Sequence, residues 1–368
     1  MTIAAHITDG NLFGSSFLTA YLPQLAAQHP QHHFIFFTEQ PLQTTAVANI
    51  TQVSISPAIK NSLLLHYWYN FKLPVLLKKY NASVFISEIN VLPLKIKITS
   101  ILLIHNVPQV KKSSIFKNNY KRYLQKYFSR SLKKTNSVVC TAHYLEKELI
   151  SKFDFAKQKT TCIHPPIHAA FKPIPWQQKE NTLQQYSGEK DYFLYPVSLI
   201  TKENILPALK AFSLFKKWHK SSMKLVLLSG TDMQDTMLVK DFDLYKYKDD
   251  VAIIFTDNKK EVANITASAY AMIYLPQHAH IEYFALEAMQ AEVPVITCSN
   301  QLTKDMYGQA VIYTGINGKD NSESMIHLYK DENLRNEMIK KGVLHTAGYS
   351  DKDFFEPFWE VITKAVEG

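Results

Sequence analysis

Glycine is scarce in this sequence. Only ten of the 368 residues are glycine, against a usual share of about 7%, and no two of them form a G-x-G pair. The phosphate-binding loops of dinucleotide-binding proteins, kinases and P-loop proteins need closely spaced glycines, because these let the backbone approach a phosphate. The motif G-x-S-x-G is also absent. The sequence therefore excludes these phosphate-binding motifs and the usual serine hydrolase.

Cysteine is also rare, and long apolar runs are missing. The three cysteines, Cys140, Cys162 and Cys298, are far apart and form no C-x-x-C pair, which argues against a disulfide framework and against a cysteine zinc site. We expect buried thiols in a reducing compartment. No apolar run reaches the roughly 18 residues of a membrane span. The first Lys or Arg is Lys60, so we expect no signal peptide and a cytoplasmic protein.

Acidic residues are nearly absent from one part of the chain. Residues 60–134 contain 15 Lys and Arg but a single acid, Glu88, whereas the rest of the chain carries 26 basic and 31 acidic side chains. Such a basic band predicts a negatively charged surface or ligand. Its densest part, 111–134, combines aromatic residues at helical spacing with the basic residues Lys111, Lys112, Lys117, Lys121, Arg122, Lys126 and Arg130.

Three interpretations fit this basic amphipathic helix. Its charged side is simply solvated, or it faces anionic lipid, where each basic side chain contributes about 1 kcal/mol. Nucleic acid is bound by the same mixture of basic and aromatic residues, but the sequence contains no recognised nucleic-acid module. We therefore expect no nucleic-acid partner and keep an anionic membrane surface as a hypothesis beside the solvated face.

Short apolar segments alternate with helical patterns along both halves of the chain. This alternation predicts parallel sheets covered by helices, and hence two doubly wound α/β domains. The proline-marked stretch 164–175 separates them, which predicts domains at 1–168 and 174–351 and a helical tail at 352–368. The predicted strands include 2–7, 33–38, 82–87, 98–105, 136–141, 191–199, 224–230, 251–257, 269–276 and 293–299, and the predicted helices are 14–28, 62–79, 117–134, 143–152, 204–219, 258–269 and 284–291.

A ligand site is predicted beyond the carboxyl ends of these strands. In open parallel sheets, ligands bind where the strands end, and two such domains place the ligand in the cleft between them. The segments that follow the strands are 9–16, 105–106, 198–204 and 277–287. We expect the functional side chains in these four segments.

Four segments carry a family resemblance, in an order that spans nearly the whole chain. They are WYNFKLPVLLKKYNASVFISEINVLPLKIKITSILLIHN, YFSRSLKKTNSVVCTAHYLEKELI, YFLYPVSLITKENILPALKAFSLFK and AYAMIYLPQHAHIEYFALEAMQAEVPVITCSN. They resemble the strand ending in His-Asp or His-Asn, the S/T-x-x-S region, the G-R-x-x-x-x-K-N loop and the E-G-F-G-L-P stretch of family 4 glycosyltransferases. That resemblance implies the two-domain GT-B fold, a retaining sugar transfer, and a tail that packs back on the first domain.

The resemblance implies a donor site in the second half. Glu287 matches the second motif glutamate, which accepts hydrogen bonds from the two ribose hydroxyls of a nucleotide; a carboxylate can accept both at once. Its alternative role is a helix N-terminal acid favoured by the dipole. The turn and helix start at 280–287, including Tyr283, would face the diphosphate. Lys202 would pair with the same diphosphate, or it is an ordinary exposed lysine.

The resemblance also implies a sugar and acceptor side in the first half. His105 matches a catalytic-site histidine near the donor sugar; the alternative is a strand-end histidine bonded to the backbone. Gly14 matches the first glycine loop, close to sugar and acceptor, and we place Ser15 and Asn106 beside it.

The sequence departs from the family pattern at the donor motif. The first motif glutamate falls on Ala279 and the arginine on Ser198, while His280, Ile281, Glu282 and Tyr283 stand where the glycine-containing stretch lies. Bulky residues limit how closely a backbone approaches a ligand, and losing one charged contact in a preorganised site costs about 3 kcal/mol. We hypothesise that Glu282 replaces the catalytic carboxylate and that Lys202 replaces the arginine.

Three functions are compatible with this pattern. The first is a glycosyltransferase that uses a nucleotide sugar, needs no metal or other cofactor, and transfers to a lipid-linked or glycan acceptor in cell-surface polysaccharide synthesis, with possible attachment to the inner membrane face. The second is a non-catalytic GT-B partner or scaffold in the same pathway. The third is another GT-B chemistry, such as an epimerase or a phosphorylase. Nucleotide binding separates the first from the second, and the need for an acceptor separates the first from the third.

Overall fold

The computed structural model of the chain describes residues 1–7, 17–39, 42, 47–57, 59, 61–105, 119–197, 202–230, 242–276 and 283–367. The chain forms two compact units. Unit 1 comprises Met1–Pro165 and Asp351–Gly368, and unit 2 comprises Pro166–Ser350.

Unit 1 is built on a seven-stranded parallel sheet with the strand order β3-β2-β1-β4-β5-β6-β7. Its central strands are nearly continuous apolar runs, as expected for strands covered on both faces. Ile3, Phe36 and Leu103, for example, are completely buried. The strands are β1 (Thr2–Ile7), β2 (His33–Thr38), β3 (Ile50–Ser54), β4 (Val84–Ser87), β5 (Thr99–Ile104), β6 (Ser137–Cys140) and β7 (Thr160–Cys162).

Helices follow the strands of unit 1. They are α1 (Phe17–Gln28), α2 (Ser62–Tyr67), α3 (Leu73–Lys79), α4 (Asn119–Lys134) and α5 (His143–Lys152), with a π-helical turn Trp68–Lys72 joining α2 to α3 and a 3-10 turn at Asp154–Lys159. The predicted helix 62–79 is thus one continuous helical segment that widens in its middle. It buries Leu65, Trp68, Leu73 and Leu77, whose spacing of three to five residues keeps them on one face.

Unit 2 contains a six-stranded parallel sheet with the order β10-β9-β8-β11-β12-β13. Its strands are β8 (Tyr192–Pro196), β9 (Lys224–Ser229), β10 (Val251–Phe255), β11 (Ala271–Tyr274), β12 (Val295–Cys298) and β13 (Ile312–Thr314). Its helices are α6 (Trp176–Ser187), α7 (Lys202–Trp218), α8 (Lys259–Ser268), α9 (Phe284–Gln290), α10 (Gln301–Tyr307), α11 (Gly318–Lys330) and α12 (Glu332–Thr346), with a 3-10 turn at Lys248–Asp250. Each unit is therefore a Rossmann-like α/β domain, as the alternation of strands and helices predicts.

The last helix, α13 (Asp351–Glu367), belongs to unit 1 although it follows unit 2 in sequence. Phe354, Phe355, Phe358 and Ile362 lie in the same buried cluster as strand residues of β1, β2, β4 and β5. The helix thus completes the core of unit 1. Among the described helices of both units, none combines the length and the apolar character needed to span a bilayer.

Candidate functional site

In unit 1, the carboxyl end of β5 places His105 where the sequence predicts a sugar-side residue. His105 directly follows Ile104, the last residue of that strand. Its side chain keeps 33% of its surface exposed, yet the surrounding protein lowers the pKa of the imidazole to about 4 by desolvation. The ring is therefore neutral at pH 7. A neutral imidazole both donates and accepts a hydrogen bond, which suits it to contact a sugar hydroxyl.

Glu88 lies beside His105, and sequence reasoning did not select it as a site residue. It directly follows β4, the neighbour of β5 in the sheet. Its Oε2 accepts the backbone N–H of Leu18, in the first turn of α1, at 3.1 Å, and lies 3.9 Å from His105 Nε2. That second distance is too long for a hydrogen bond. Glu88 thus caps a helix and adds an acidic group next to the histidine.

The signal for Glu88 was present in the sequence. It is the single acid among 15 basic residues in 60–134, and it follows a predicted strand. A carboxylate that is only 9% exposed is rarely found in a protein unless it has a bonding partner. Its pairing with the donor end of α1 meets that requirement, because the first N–H groups of a helix have no partners within the helix.

A series of hydrogen-bonded polar side chains lies deeper in the same sheet. His6 in β1 is only 2% exposed, and its Nδ1 is hydrogen-bonded to the Tyr69 hydroxyl at 2.8 Å. That hydroxyl is 3.4 Å from Ser87 Oγ, which donates to the Val91 carbonyl at 2.9 Å. Burial lowers the pKa of His6 to about 3. These hydrogen bonds hold Ser87 at the end of β4 in place, directly before Glu88.

In unit 2, the predicted ribose-binding glutamate lies in the first turn of α9, which follows β11. Glu287 is half-buried, and its backbone N–H donates to the Tyr283 carbonyl at 2.8 Å. Burial raises the pKa of its carboxyl group to about 7, and the positive charge of Lys259 offsets part of that rise. Tyr283 directly precedes the helix and is also half-buried. A partly desolvated carboxylate at this edge has the chemistry required to accept hydroxyl donors.

Several predicted residues cannot be located at the site. Lys202 begins α7, and Lys121 and Arg122 lie in α4. Outside the described residues lie Gly14, Ser15, Asn106, Lys111, Lys112, Lys117, Ser198, Ala279, His280, Ile281 and Glu282. The proposed substitution of the family's carboxylate by Glu282 therefore stays a prediction.

Helix α4 has the amphipathic arrangement that its sequence predicts. Leu124, Phe128 and Leu132 are buried at intervals of four residues, while Lys126 and Arg130 are exposed. The apolar side thus packs within unit 1, and the basic side faces solvent.

An exposed apolar stripe on the segment Ser62–Lys79 was not foreseen. Leu63, Tyr67, Phe71 and Val75 are 79%, 42%, 62% and 66% exposed and recur every four residues. Neighbouring helical residues four apart lie on one face, so these side chains form a continuous row. The sequence contains a signal for this row, because the segment has a second series of apolar residues at helical spacing besides the residues that it buries.

Comparisons with known proteins agree with the fold. A family model described as Glycosyltransferase Family 4 matches residues 16–171, and one described as Glycosyl transferases group 1 matches residues 178–344. A search of curated proteins found no match. The two family matches follow each other along the chain and correspond to most of unit 1 and unit 2.

Solved structures show the same architecture over the full length. A glycosyltransferase from Rickettsia africae has a TM-score of 0.76 at 12% identity, covering 100% of this chain and 99% of its own. WaaG, a glycosyltransferase involved in lipopolysaccharide biosynthesis, has a TM-score of 0.75 at 14% identity, with coverages of 99% and 100%. HepE of Anabaena in complex with UDP-glucose has a TM-score of 0.76 at 9% identity, with coverages of 99% and 100%. The two family matches, which together cover most of the chain, show that it belongs to the group 1, family 4 glycosyltransferases, and the likeness to the solved structures shows the two-domain GT-B fold of these enzymes.

Proposed function

We propose that this protein is a retaining glycosyltransferase that moves a sugar from a nucleotide-sugar donor to a lipid-linked or glycan acceptor in cell-surface polysaccharide synthesis. The observation that carries the proposal is Glu287, a half-buried carboxyl group in the first turn of α9, at the position of the family's ribose-binding glutamate. The structural likeness to HepE, which was solved with UDP-glucose, supports a nucleotide sugar as the donor.

Glu287 would anchor the nucleotide half of the donor. An ionised carboxylate accepts hydrogen bonds at two oxygens, so it can hold both ribose hydroxyls. Hydrogen bonds to a charged group contribute about 1.5–3 kcal/mol each. The two together would supply a large part of the free energy of micromolar binding, about 8 kcal/mol.

His105 would contact the sugar. Because its pKa of about 4 keeps the ring neutral, it can hydrogen-bond a hydroxyl without placing a fixed positive charge beside the anomeric carbon. Glu88, 3.9 Å from His105 Nε2, would favour any positive charge that develops there as the diphosphate leaves. Retention requires the acceptor oxygen to replace the diphosphate on the same face of that carbon. We propose that Lys202 supports the departing diphosphate and that the transfer uses no metal.

The acceptor would be held at an anionic membrane surface. The exposed row formed by Leu63, Tyr67, Phe71 and Val75 lies on a helical segment whose residues Lys72, Lys78 and Lys79 are exposed. Helix α4, which contacts α2, adds Lys126 and Arg130. Aromatic and aliphatic side chains next to lysines are the composition of interfacial helices.

Magnitudes support lipid attachment. Each basic residue near anionic lipid contributes about 1 kcal/mol, and burying a Leu or Phe side chain contributes about 1.5–3 kcal/mol. Two partly inserted apolar side chains and three lysines would together contribute roughly 5 kcal/mol. That is sufficient for reversible, peripheral attachment.

Vesicle sedimentation tests the membrane part of the proposal. The protein should sediment with vesicles that contain phosphatidylglycerol and much less with phosphatidylcholine alone. Leu63→Ser with Phe71→Ser should weaken sedimentation at least tenfold, whereas Leu344→Ser, which removes a leucine 78% exposed in unit 2, should leave it unchanged. Equal sedimentation of both variants would reject this surface.

Calorimetry tests the donor site. UDP, GDP and their sugar conjugates are titrated into the wild type, into Glu287→Ala and into the control Glu337→Ala, which removes an exposed glutamate of α12. We expect one nucleotide to bind at micromolar strength, with loss only in Glu287→Ala. Absence of nucleotide binding by the folded wild type would reject the transferase and favour the scaffold. If a donor binds, NMR of the product identifies retention by the unchanged anomeric configuration.

A further inference from the structure

Three potential metal ligands converge at the carboxyl edge of the unit 1 sheet. Cys162 is the last residue of β7, His164 follows it by two residues, and His143 is the first residue of α5. One ligand atom from each lies within 4.8 Å of the other two. Cys162 and His164 are half-buried and His143 is exposed, so an ion from solvent can reach the cluster.

Backbone and carboxylate acceptors orient both imidazole rings. His164 Nδ1 donates to the Thr141 carbonyl at 3.2 Å, and in the neutral ring this leaves the lone pair on Nε2. His143 Nδ1 donates to Glu146 Oε2 at 3.1 Å, which leaves its lone pair on Nε2 as well. Metal-binding histidines are typically held in this way, with the second nitrogen donating to a carbonyl or carboxylate.

The ligand spacing is close to that of a tetrahedral site. His164 Nε2 lies 3.9 Å from Cys162 Sγ. In a zinc site with bonds of about 2.3 Å to sulfur and 2.0–2.1 Å to nitrogen, the two ligand atoms are about 3.6 Å apart. To bind the ion, these two ligand atoms would therefore need to approach each other by only a few tenths of an ångström. A mixed set of sulfur and imidazole ligands favours zinc over calcium or magnesium.

Of the two cysteines at this edge of the sheet, only Cys162 is accessible as a thiol ligand. Cys140 is its direct neighbour across β6 and β7, but Cys140 is completely buried and is not part of the cluster.

We propose that His143, Cys162 and His164 bind one zinc-class divalent cation, with a water molecule as fourth ligand and with Glu146 and Thr141 orienting the two imidazoles. The ion ties the start of α5 to the end of β7. His164 is followed by Pro165, the last residue of the first segment of unit 1, so the ion stabilises unit 1 where the chain leaves it. Unlike the cysteine-rich sites that the sequence argues against, this site uses a single thiolate.

Cobalt spectroscopy tests the site without relying on activity. The full chain is freed of metal with a chelator and titrated with Co²⁺, whose visible bands report tetrahedral ligation and whose near-ultraviolet charge-transfer band reports thiolate binding. We expect one equivalent to bind with both signals and one equivalent of Zn²⁺ to remove them. Cys162→Ser should abolish the charge-transfer band. The matched control Cys298→Ser, which removes a thiol of unit 2, should retain it.

Two positions on α5, the exposed His143 and the half-buried Glu146, test the site with little risk to folding. His143→Gln should weaken Co²⁺ binding, and Glu146→Gln should weaken it about 10–100-fold, as loss of an orienting partner does. Circular dichroism checks that every variant is folded. A folded wild type without the charge-transfer band would overturn the proposal, and so would a band that persists in Cys162→Ser.

Discussion

The raised pKa of Glu287 makes nucleotide binding dependent on pH. The carboxyl group titrates at about pH 7 before a nucleotide binds, and only its ionised form accepts hydrogen bonds at both oxygens. Affinity should therefore rise as the pH increases through 7. The ionised fraction is about one-eleventh at pH 6 and about ten-elevenths at pH 8, so Kd should fall about tenfold between these values.

The variant Glu287→Gln isolates the charge. The amide retains one acceptor oxygen but replaces charged hydrogen bonds with neutral ones, a loss of about 1 kcal/mol for each bond. Two such losses weaken binding at pH 8 about 30-fold. The pH dependence should disappear in this variant. Lys259→Met should instead move the midpoint to higher pH, because the lysine lowers the pKa of Glu287.

The assay is calorimetric titration from pH 6 to 8 with the nucleotide sugar that binds the wild type. A nucleotide sugar is chosen over a free diphosphate because its doubly esterified diphosphate has no ionisation near neutrality. A flat pH profile in the wild type, or equal affinity of the wild type and Glu287→Gln at pH 8, would refute this reasoning.

Protein stability distinguishes a binding role from a purely structural one. A carboxyl group whose pKa is raised on folding costs stability as the pH rises above its unfolded value. Glu287→Gln should therefore raise the melting temperature of the unliganded protein at pH 8. If Glu287 served only to complement the helix dipole, the same change would lower stability by about 0.3–1 kcal/mol.

Three further predictions concern the proposed sugar contact in unit 1 and the packing within each unit. His105→Ala should lower kcat about 100-fold, as loss of one preorganised contact does, while calorimetry shows unchanged donor affinity; a normal kcat would exclude the contact. Because unfolded His6 binds a proton below pH 6.5 and the folded residue only near pH 3, stability should fall by about 1.4 kcal/mol for each pH unit below 6.5, and His6→Gln should reduce this slope in urea titrations. An added Cβ at Gly342 would lie 3.1 Å from Met289 Cβ and Cγ, and we expect this crowding to exceed the roughly 1 kcal/mol that alanine gains over glycine inside a helix. Gly342→Ala should therefore lower the melting temperature, whereas Gly348→Ala, with open space around it, should leave it nearly unchanged.

The sheets could be predicted because their strands are buried on both faces. Continuous apolar runs such as HFIFFT and TSILLI have no periodicity that a surface helix would show, and they form β2 and β5. Four of the helices that the structure describes in unit 2 were not predicted. In α12, the buried residues are Met338, Gly342 and Thr346, a stripe too weakly apolar for hydrophobic periodicity to reveal.

For the candidate site, chain order alone predicts only which residues follow strands. His105 and Glu287 directly follow or lie just after predicted strands, and the rule that ligands bind at carboxyl ends selects such positions. The pairing of β4 with β5 places Glu88 beside His105. Cys162 and His143 are 19 residues apart and meet through the β6–β7 pairing. Such contacts depend on strand order and register, which a single sequence does not specify.

The path of the chain through α13 also determines when each unit can fold during synthesis. Domains usually fold as they leave the ribosome, the N-terminal one first, but here Phe354, Phe355, Phe358 and Ile362 belong to the core of unit 1. Their burial contributes roughly 8 kcal/mol, comparable to the whole stability of a typical domain. Unit 2, whose residues are continuous, can therefore complete its fold first. We expect the nascent unit 1 to need protection by chaperones until its last helix has been made.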